Sequence, residues 1–486
     1  MTSSRRGWLL PVLAFVVTVT AVLQTAVVPV LHPIGEALHA SASGVGWVVT
    51  ANLLAAAVLT PVLGRLGDVH GRRTALLGIL AAVAAGSLLA ALTTSLPLLV
   101  AARVLQGAAF GLFPLSIGIL RDELPAERLT GAMAVVSGTL GAGGGLGLVL
   151  TGLLTRGGGD YHRVFWLALG VALLALLLAA VVVPGRPRTR GAQGGVDWLG
   201  GGVLGASLVL LLLPLSKGGQ WGWASPATLG CLVASAVVFY GWVVLEHRVA
   251  APLVTPVLMA NRPLLVTNAA GLFVGLAMFI SFLGVSDFVQ TPASTGYGFS
   301  ASVLSASAGY LLPGALAGVL AAPLGGRLVR RVGGRVVLVL AALTGAAGFV
   351  LMALLHSASW QLITGSLLVN VAVSLAFAAM PALIVAEVPP WQTGVANSVN
   401  SISRSIGSAV ASALVVTLLA SDVLPSGLPR ESAYVGAFAI GAAGCLLAAL
   451  LVAVGLPRLP RPDEQEAQIE AATALAGEWG VVGARA

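Results

Sequence analysis

Apolar residues in this chain come in long unbroken runs, without the alternation of strands or the one-sided spacing of a surface helix. The runs lie near 8–31, 45–63, 74–94, 97–120, 131–155, 163–183, 198–215, 227–245, 263–284, 302–325, 336–355, 360–385, 394–420 and 433–456. Most approach the ~20 residues a helix needs to cross a bilayer. The pattern predicts an all-α polytopic membrane protein of about fourteen helices, because in lipid a helix satisfies its own backbone polar groups. The first run follows Arg5 and Arg6, as a secretory signal would. From Trp8 to Leu31 it is too long for a signal core, so it is expected to stay as the first helix.

Composition strengthens this picture. Of 486 residues 58% are hydrophobic and 9% charged, with a mean hydropathy of +0.99. A soluble domain carries roughly 25% charged residues, so the apolar excess must face lipid. The net charge of +8 does not signal a nucleic-acid partner, because the basic residues sit singly or in small groups between apolar runs. With the N-terminus inside, nineteen Arg fall in cytoplasmic segments and four basic residues (Arg156, Arg163, Lys217, Arg430) outside. The two remaining, Arg103 and Arg404, lie within runs. This bias sets both termini in the cytoplasm. Cys231 and Cys445 sit in apolar runs with no metal-like spacing; no metal, cofactor or catalytic cluster is expected.

An internal repeat divides the chain. Gly64-Arg65-Leu66-Gly67-Asp68-Val69-His70-Gly71-Arg72-Arg73 follows the second run, and Gly326-Arg327-Leu328-Val329-Arg330-Arg331-Val332-Gly333-Gly334-Arg335 follows the tenth, 262 residues later. Thr130-Gly131 and Thr393-Gly394 echo each other at nearly the same offset. Duplicated halves are a common transporter plan. The expected organisation is a six-helix bundle over 1–190, a two-helix insert over 191–255, a second six-helix bundle over 256–456 and a cytoplasmic tail over 457–486.

Three motifs carry a family resemblance. The Gly64–Arg73 run resembles the loop motif of the major facilitator superfamily, with Val69 at a usual Arg. Its glycines allow a tight turn, and Asp68 is expected to accept from N–H groups of the next helix or to pair with an Arg across the halves. Gly64, Arg65, Asp68, Gly71, Arg72 and Arg73 are the expected gating residues. Arg103-Val104-Leu105-Gln106-Gly107 resembles the superfamily's fourth-helix motif, whose Arg the resemblance ties to proton coupling; a snorkelling Arg is the plain alternative. Gly138, Gly141, Gly143, Gly144, Gly145 and Gly147 resemble the glycine motif of the exporting branches, with Ala142 at a usual Pro, and serve close helix packing. The fourteen-run count with a two-helix insert resembles the fourteen-helix drug:proton antiporter subgroup, as does Gly296–Ser300 before the tenth run. One departure stands out: Gln24 occupies the place of the subgroup's first-helix Asp and cannot titrate.

Polar residues inside the runs mark the candidate site, because they are costly in lipid. Asn397, Asn400, Ser401, Arg404 and Ser408 are spaced to share one helical face. That face is expected to line a central cavity with Gln24, Asn52, Asn268 and Asn370. Phe110, Phe273, Phe279, Phe282, Phe377 and Met380 are candidates for an apolar wall. Asp287, at the outer end of the ninth run, is the leading titratable candidate beside Arg103, Gln106 and Gly107, with Glu36 as an alternative. The resemblance implies a monomeric bacterial plasma-membrane carrier working by alternating access. It would export a small amphiphilic substrate in exchange for protons, in contact with membrane lipid. A same-fold uptake carrier or facilitator, and a non-transporting sensor, stay open as alternatives.

Overall fold

The computed structural model describes residues 3–457 except 41, 156–159, 186–194, 196, 250–251 and 255–259. The expected tail and most of the linker, with Arg156, Arg186, Arg188, Arg190, Arg458, Arg461 and Arg485, lie outside the described residues. Long helices joined by short connections make up the described chain, and 13 helices among the described residues are long and apolar enough to cross a membrane. In chain order they are α1 (Ser3–Thr25), α2 (Ala42–His70), α3 (Arg72–Leu92), α4 (Leu96–Glu123), α5 (Ala126–Leu154), α6 (His162–Val182) and α7 (Trp198–Trp221). Then come α8 (Pro226–Glu246), α9 (Arg262–Gln290), α10 (Ala306–Leu354), α11 (Ser359–Glu387), α12 (Thr393–Ser421) and α13 (Glu431–Gly455).

Two of these helices differ from the apolar runs for local reasons. The first run was expected to reach Leu31, but α1 ends at Thr25, and a 3-10 turn at Val28–Val30 follows around Pro29. Proline lacks the N–H that would continue the helix. The tenth and eleventh runs lie on one 49-residue helix, α10, which opens with a π turn at Ala306–Leu311. At 1.5 Å per residue it is ~74 Å long, more than twice the ~30 Å hydrocarbon core. It breaks at Gly333, whose φ of 83° and ψ of 155° are non-helical. That φ favours glycine, and the break lies in the Arg-rich stretch that composition reads as a loop.

Among the described residues the helices gather into two bundles, each with its own buried core. One buried core is built from α1, α3, α4, α5 and α6, a second from α9 to α13. A smaller cluster joins Leu204, Leu208 and Leu212 of α7 to Ala57 of α2 and to Val395 and Ile402 of α12. Helix α7 thus lies over one seam between the bundles, with α8 packed outside it. Across the other seam α5 packs on α10 and α11. Large apolar side chains such as Leu177, Tyr240, Leu320 and Leu450 are exposed on the outer surface, as a lipid-facing wall requires.

The two repeat motifs meet the two echoes. Gly64 packs against Gly394 at the start of α12, and Gly326 against Gly131 in α5. The duplication therefore reappears as two matching corners between the bundles, with Arg330 beside Gly131 in the second.

Candidate functional site

At the first corner, Gly71 turns the chain from α2 into α3 with φ 104°, and Asp68 is fully buried. Its Oδ1 accepts from Arg72 Nη2 (2.8 Å) and Nε (3.2 Å). Its Oδ2 accepts from the backbone N–H groups of Gly394 (3.1 Å) and Val395 (3.3 Å). The expected donors are thereby corrected. The N–H groups belong to α12 in the opposite bundle, not to α3, and the Arg belongs to Asp68's own bundle. Helix N-termini offer unpaired N–H groups and a partial positive charge, so an anion at this place holds the bundles together. Arg72 also donates to Gly118 O (2.8 Å) and pairs with Asp122. Arg121 crosses back to donate to Thr393 Oγ1 and to Val388 O (2.9 Å). Arg73 instead reaches Ala180 O in α6 (2.8 Å), and Arg65 is buried. Gly64 has no room for a side chain: a Cβ would lie 2.4 Å from Ser398 Oγ, itself a donor to Thr60 O.

Arg103 is 2% exposed and lies inside the first bundle, so it does not snorkel. It donates to Val48 O (3.0 Å), Leu23 O (3.2 Å) and Gln106 Oε1 (2.6 Å). Gln106 passes the chain on to Ser87 Oγ (2.9 Å), and Asn52 donates to Arg103 O (2.9 Å). Gly107 lies against Asn52 O and Ala55. The fourth-helix motif therefore ties α1, α2 and α3 to α4, and Asn52 belongs to this network.

The glycines of α5 serve two faces. Gly143 and Gly147 lie against Thr18, Ala21, Val22 and Thr25 of α1, while Thr25 donates to Gly144 O (2.8 Å). Gly138 and Gly145 meet Ala322 and Ala315 of α10 in the other bundle. Gly141 lies in the same helix. One helix thus packs tightly within its bundle and across the seam.

Between the bundles sits Arg404 of α12, half-buried. Its Nη1 donates to Asn400 Oδ1 and its Nη2 to Ser401 Oγ (2.9 Å). Its guanidinium lies 5.3 Å from the ring centroid of Phe113 in α4 and 5.0 Å from that of Phe377 in α11. Asn400 Nδ2 reaches Asn268 Oδ1 (3.2 Å), Thr267 O (3.3 Å) and Met380 Sδ (3.9 Å). The backbone of Arg404 is in close contact with Gly275 of α9, where a Cβ would be 2.0 Å from Arg404 O.

The Major Facilitator Superfamily model matches residues 13–319 and 272–486. The chain belongs to the Major Facilitator Superfamily. It is 31% identical over 420 residues to the tetracenomycin C resistance and export protein of Streptomyces glaucescens, covering 84% of this chain and 76% of that one. It is 30% identical over 466 residues to the cephamycin export protein of Amycolatopsis lactamdurans, covering 93% and 92%. In structure it matches the human organic anion transporter MFSD10 with a TM-score of 0.62 at 18% identity, over 93% of this chain and 100% of that chain; this likeness shows the fold. The chain is accordingly a multi-pass membrane transporter of a small molecule.

Within this superfamily member, the expected cavity set divides. Asn268, Asn400 and Arg404 come together. Asn397 is buried and donates back to Thr393 O (3.0 Å), and Asn370 donates to Ser366 O (2.9 Å) beside Gly314. Gln24 is half-buried in α1. Asp287 lies near the far end of α9 and accepts from Tyr434 Oη (2.6 Å), which also meets Thr291 Oγ1 (3.1 Å). It is twelve residues beyond Gly275, ~18 Å along the helix. Phe113 escaped the sequence reading, because an aromatic residue in an apolar run carries no mark of its neighbours. Only the crossing of α4 with α12 brings it to Arg404.

Proposed function

We propose that this chain exports small amphiphilic molecules, antibiotics or secondary metabolites among them, by alternating access in exchange for protons. The observation that carries this is the Arg404 site, built from α4 of one bundle and α9, α11 and α12 of the other. A site shared by two bundles is remade whenever they rock. The Asp68 corner closes one end of that seam, and the Arg distribution supports a cytoplasmic side for that end. The named export proteins among the relatives favour the outward direction.

In this reading there are fourteen crossings, α10 counting as two about Gly333. The bundles span 1–190 and 256–456, the insert 191–255, and both termini are cytoplasmic, in a bacterial plasma membrane. The protein works as a monomer surrounded by lipid. Asp287 with Tyr434 is the proton-carrying candidate, and Arg103 with Gln106 and Gly107 keeps α4 in register for it. Gln24, which cannot titrate, favours one second reading: a carrier of the same fold without proton coupling.

The test uses everted membrane vesicles holding the full chain, an imposed pH gradient and a panel of antibiotics. Uptake that collapses with the gradient supports antiport; gradient-independent uptake supports the second reading. No uptake of any compound sinks export.

A further inference from the structure

We infer that Arg404 is the recognition point for an acidic group on the substrate, so that the cargo is an aromatic anion such as a carboxylate, phenolate or sulfonate. This rests on the export reading above and narrows its substrate class.

The charges within the spans differ in how they are compensated. Asp68 pairs with Arg72 and with the start of α12, and Arg103 is enclosed by three acceptors. Arg404 pairs with no carboxylate among the described residues. Its partners are the neutral Asn400 and Ser401 and the faces of two rings. A guanidinium carries five N–H donors, and these two hydrogen bonds use two of them. The side chain is half-buried, so the others are within reach of a ligand between the bundles. The carboxylates on the packed helices are remote: Asp122 and Glu123 are nine and ten residues beyond Phe113 on α4, and Glu387 is ten beyond Phe377 on α11, ~14–15 Å along those axes. Asp68 meets α12 at Gly394, ten residues before Arg404, or ~15 Å along the axis. Asp287 lies ~18 Å away along α9 by the same measure.

An uncompensated cation at this depth is costly. An anionic ligand removes that cost, and a cationic one adds repulsion, so the site selects by sign. The planar guanidinium fork matches a carboxylate or sulfonate in a way that a point charge would not. The flanking rings, Phe113 and Phe377, come from opposite bundles. Both are buried in this state, so it is the rocking of the bundles that uncovers their faces for a planar aromatic body beside its acidic group.

The test compares two dyes built on one xanthene frame, anionic fluorescein and cationic rhodamine 123, in proteoliposomes holding the full chain. Fluorescein is expected to move and rhodamine 123 to be refused. Arg404→Gln should lower the fluorescein rate about tenfold or more, the loss that fits one charge-assisted hydrogen bond. Arg404→Lys, which keeps the charge, should retain an intermediate rate, and Arg404→Glu should turn the preference toward rhodamine 123. All variants are first shown to elute as one peak with the wild type. Rhodamine 123 movement unaffected by Arg404→Gln overturns the inference and leaves export standing. So does fluorescein movement that survives Arg404→Gln, or refusal of fluorescein by a chain that moves other compounds. Failure to move either dye or any antibiotic sinks the export reading instead.

Discussion

Replacing Asp68 should loosen the seam where α2 meets α12 by an amount that its two oxygens define separately. Oδ1 bonds Arg72 within one bundle, so that pair survives when the bundles part and cancels from the closed-to-open difference. Oδ2 bonds Gly394 and Val395 in the other bundle, and only these bonds are lost on opening. In Asp68→Asn an amide oxygen can still face the two N–H groups, but without its charge. The difference between ionic and neutral acceptors at a helix N-terminus is ~1–2 kcal/mol, or ~5–30-fold in the closed-to-open ratio. Asp68→Ala removes both bonds and should shift the ratio by about 3 kcal/mol, ~150-fold. Spin labels at His70 and Ala386, both exposed at this end on opposite bundles, report the separation. Cys231 and Cys445 are first replaced by Ser, and the protein is placed in lipid nanodiscs. The expected result is a graded rise of the long-distance population from wild type to Asn to Ala. If Asp68→Ala keeps the wild-type distance distribution, the corner is not what holds the seam.

Other outcomes follow from the same geometry. Gly64→Ala should also favour the open end, since its Cβ would meet Ser398 Oγ at 2.4 Å; the same label pair reads it. Gly275→Ala should destabilise the second bundle by about 1–3 kcal/mol through overpacking, because the new Cβ would lie 2.0 Å from Arg404 O. Gly170→Ala, with nothing within 4 Å, should instead gain about 0.5–1 kcal/mol from helix propensity. Thermal unfolding in detergent, followed by tryptophan emission, ranks the pair. Arg103→Ala takes the donor from Gln106 Oε1 and the side-chain bond from the carbonyls of Val48 and Leu23, and should cost about 1–3 kcal/mol for the buried group left without its partner, seen as a lowered melting temperature before any change in transport is scored.

The helices were legible because lipid demands long apolar runs, and that demand acts on composition alone. Their ends were less so. The stretch Gly326–Arg335 reads as a loop by charge, yet the helix continues to Gly333, since arginine is a good helix former. The face shared by Asn400, Ser401 and Arg404 followed from spacing within one helix. That Asn52 donates to Arg103 O was not legible, because the pairing depends on how α2 and α4 are set against each other. The partners of Asp68 were inverted for the same reason: a sequence names the acceptor, while the crossing of helices chooses the donors.

The duplicated corners are alike in backbone but not in fastening. The residue 262 positions after Asp68 is Arg330, of opposite sign. Its neighbour Gly131 lies five residues inside α5, which starts at Ala126, beyond the four leading N–H groups that a helix leaves free. Gly394, by contrast, is the second residue of α12 and still has an N–H to give. The molecule is therefore built like a pair of shutters of which only one carries a carboxylate bolt. Arg330→Asp could not supply a second one, because the frame on that side has no socket. On the bolted side that carboxylate works together with Arg121, which reaches Thr393 and Val388, and with Ser398, which reaches Thr60, so opening there has to undo three fastenings at once.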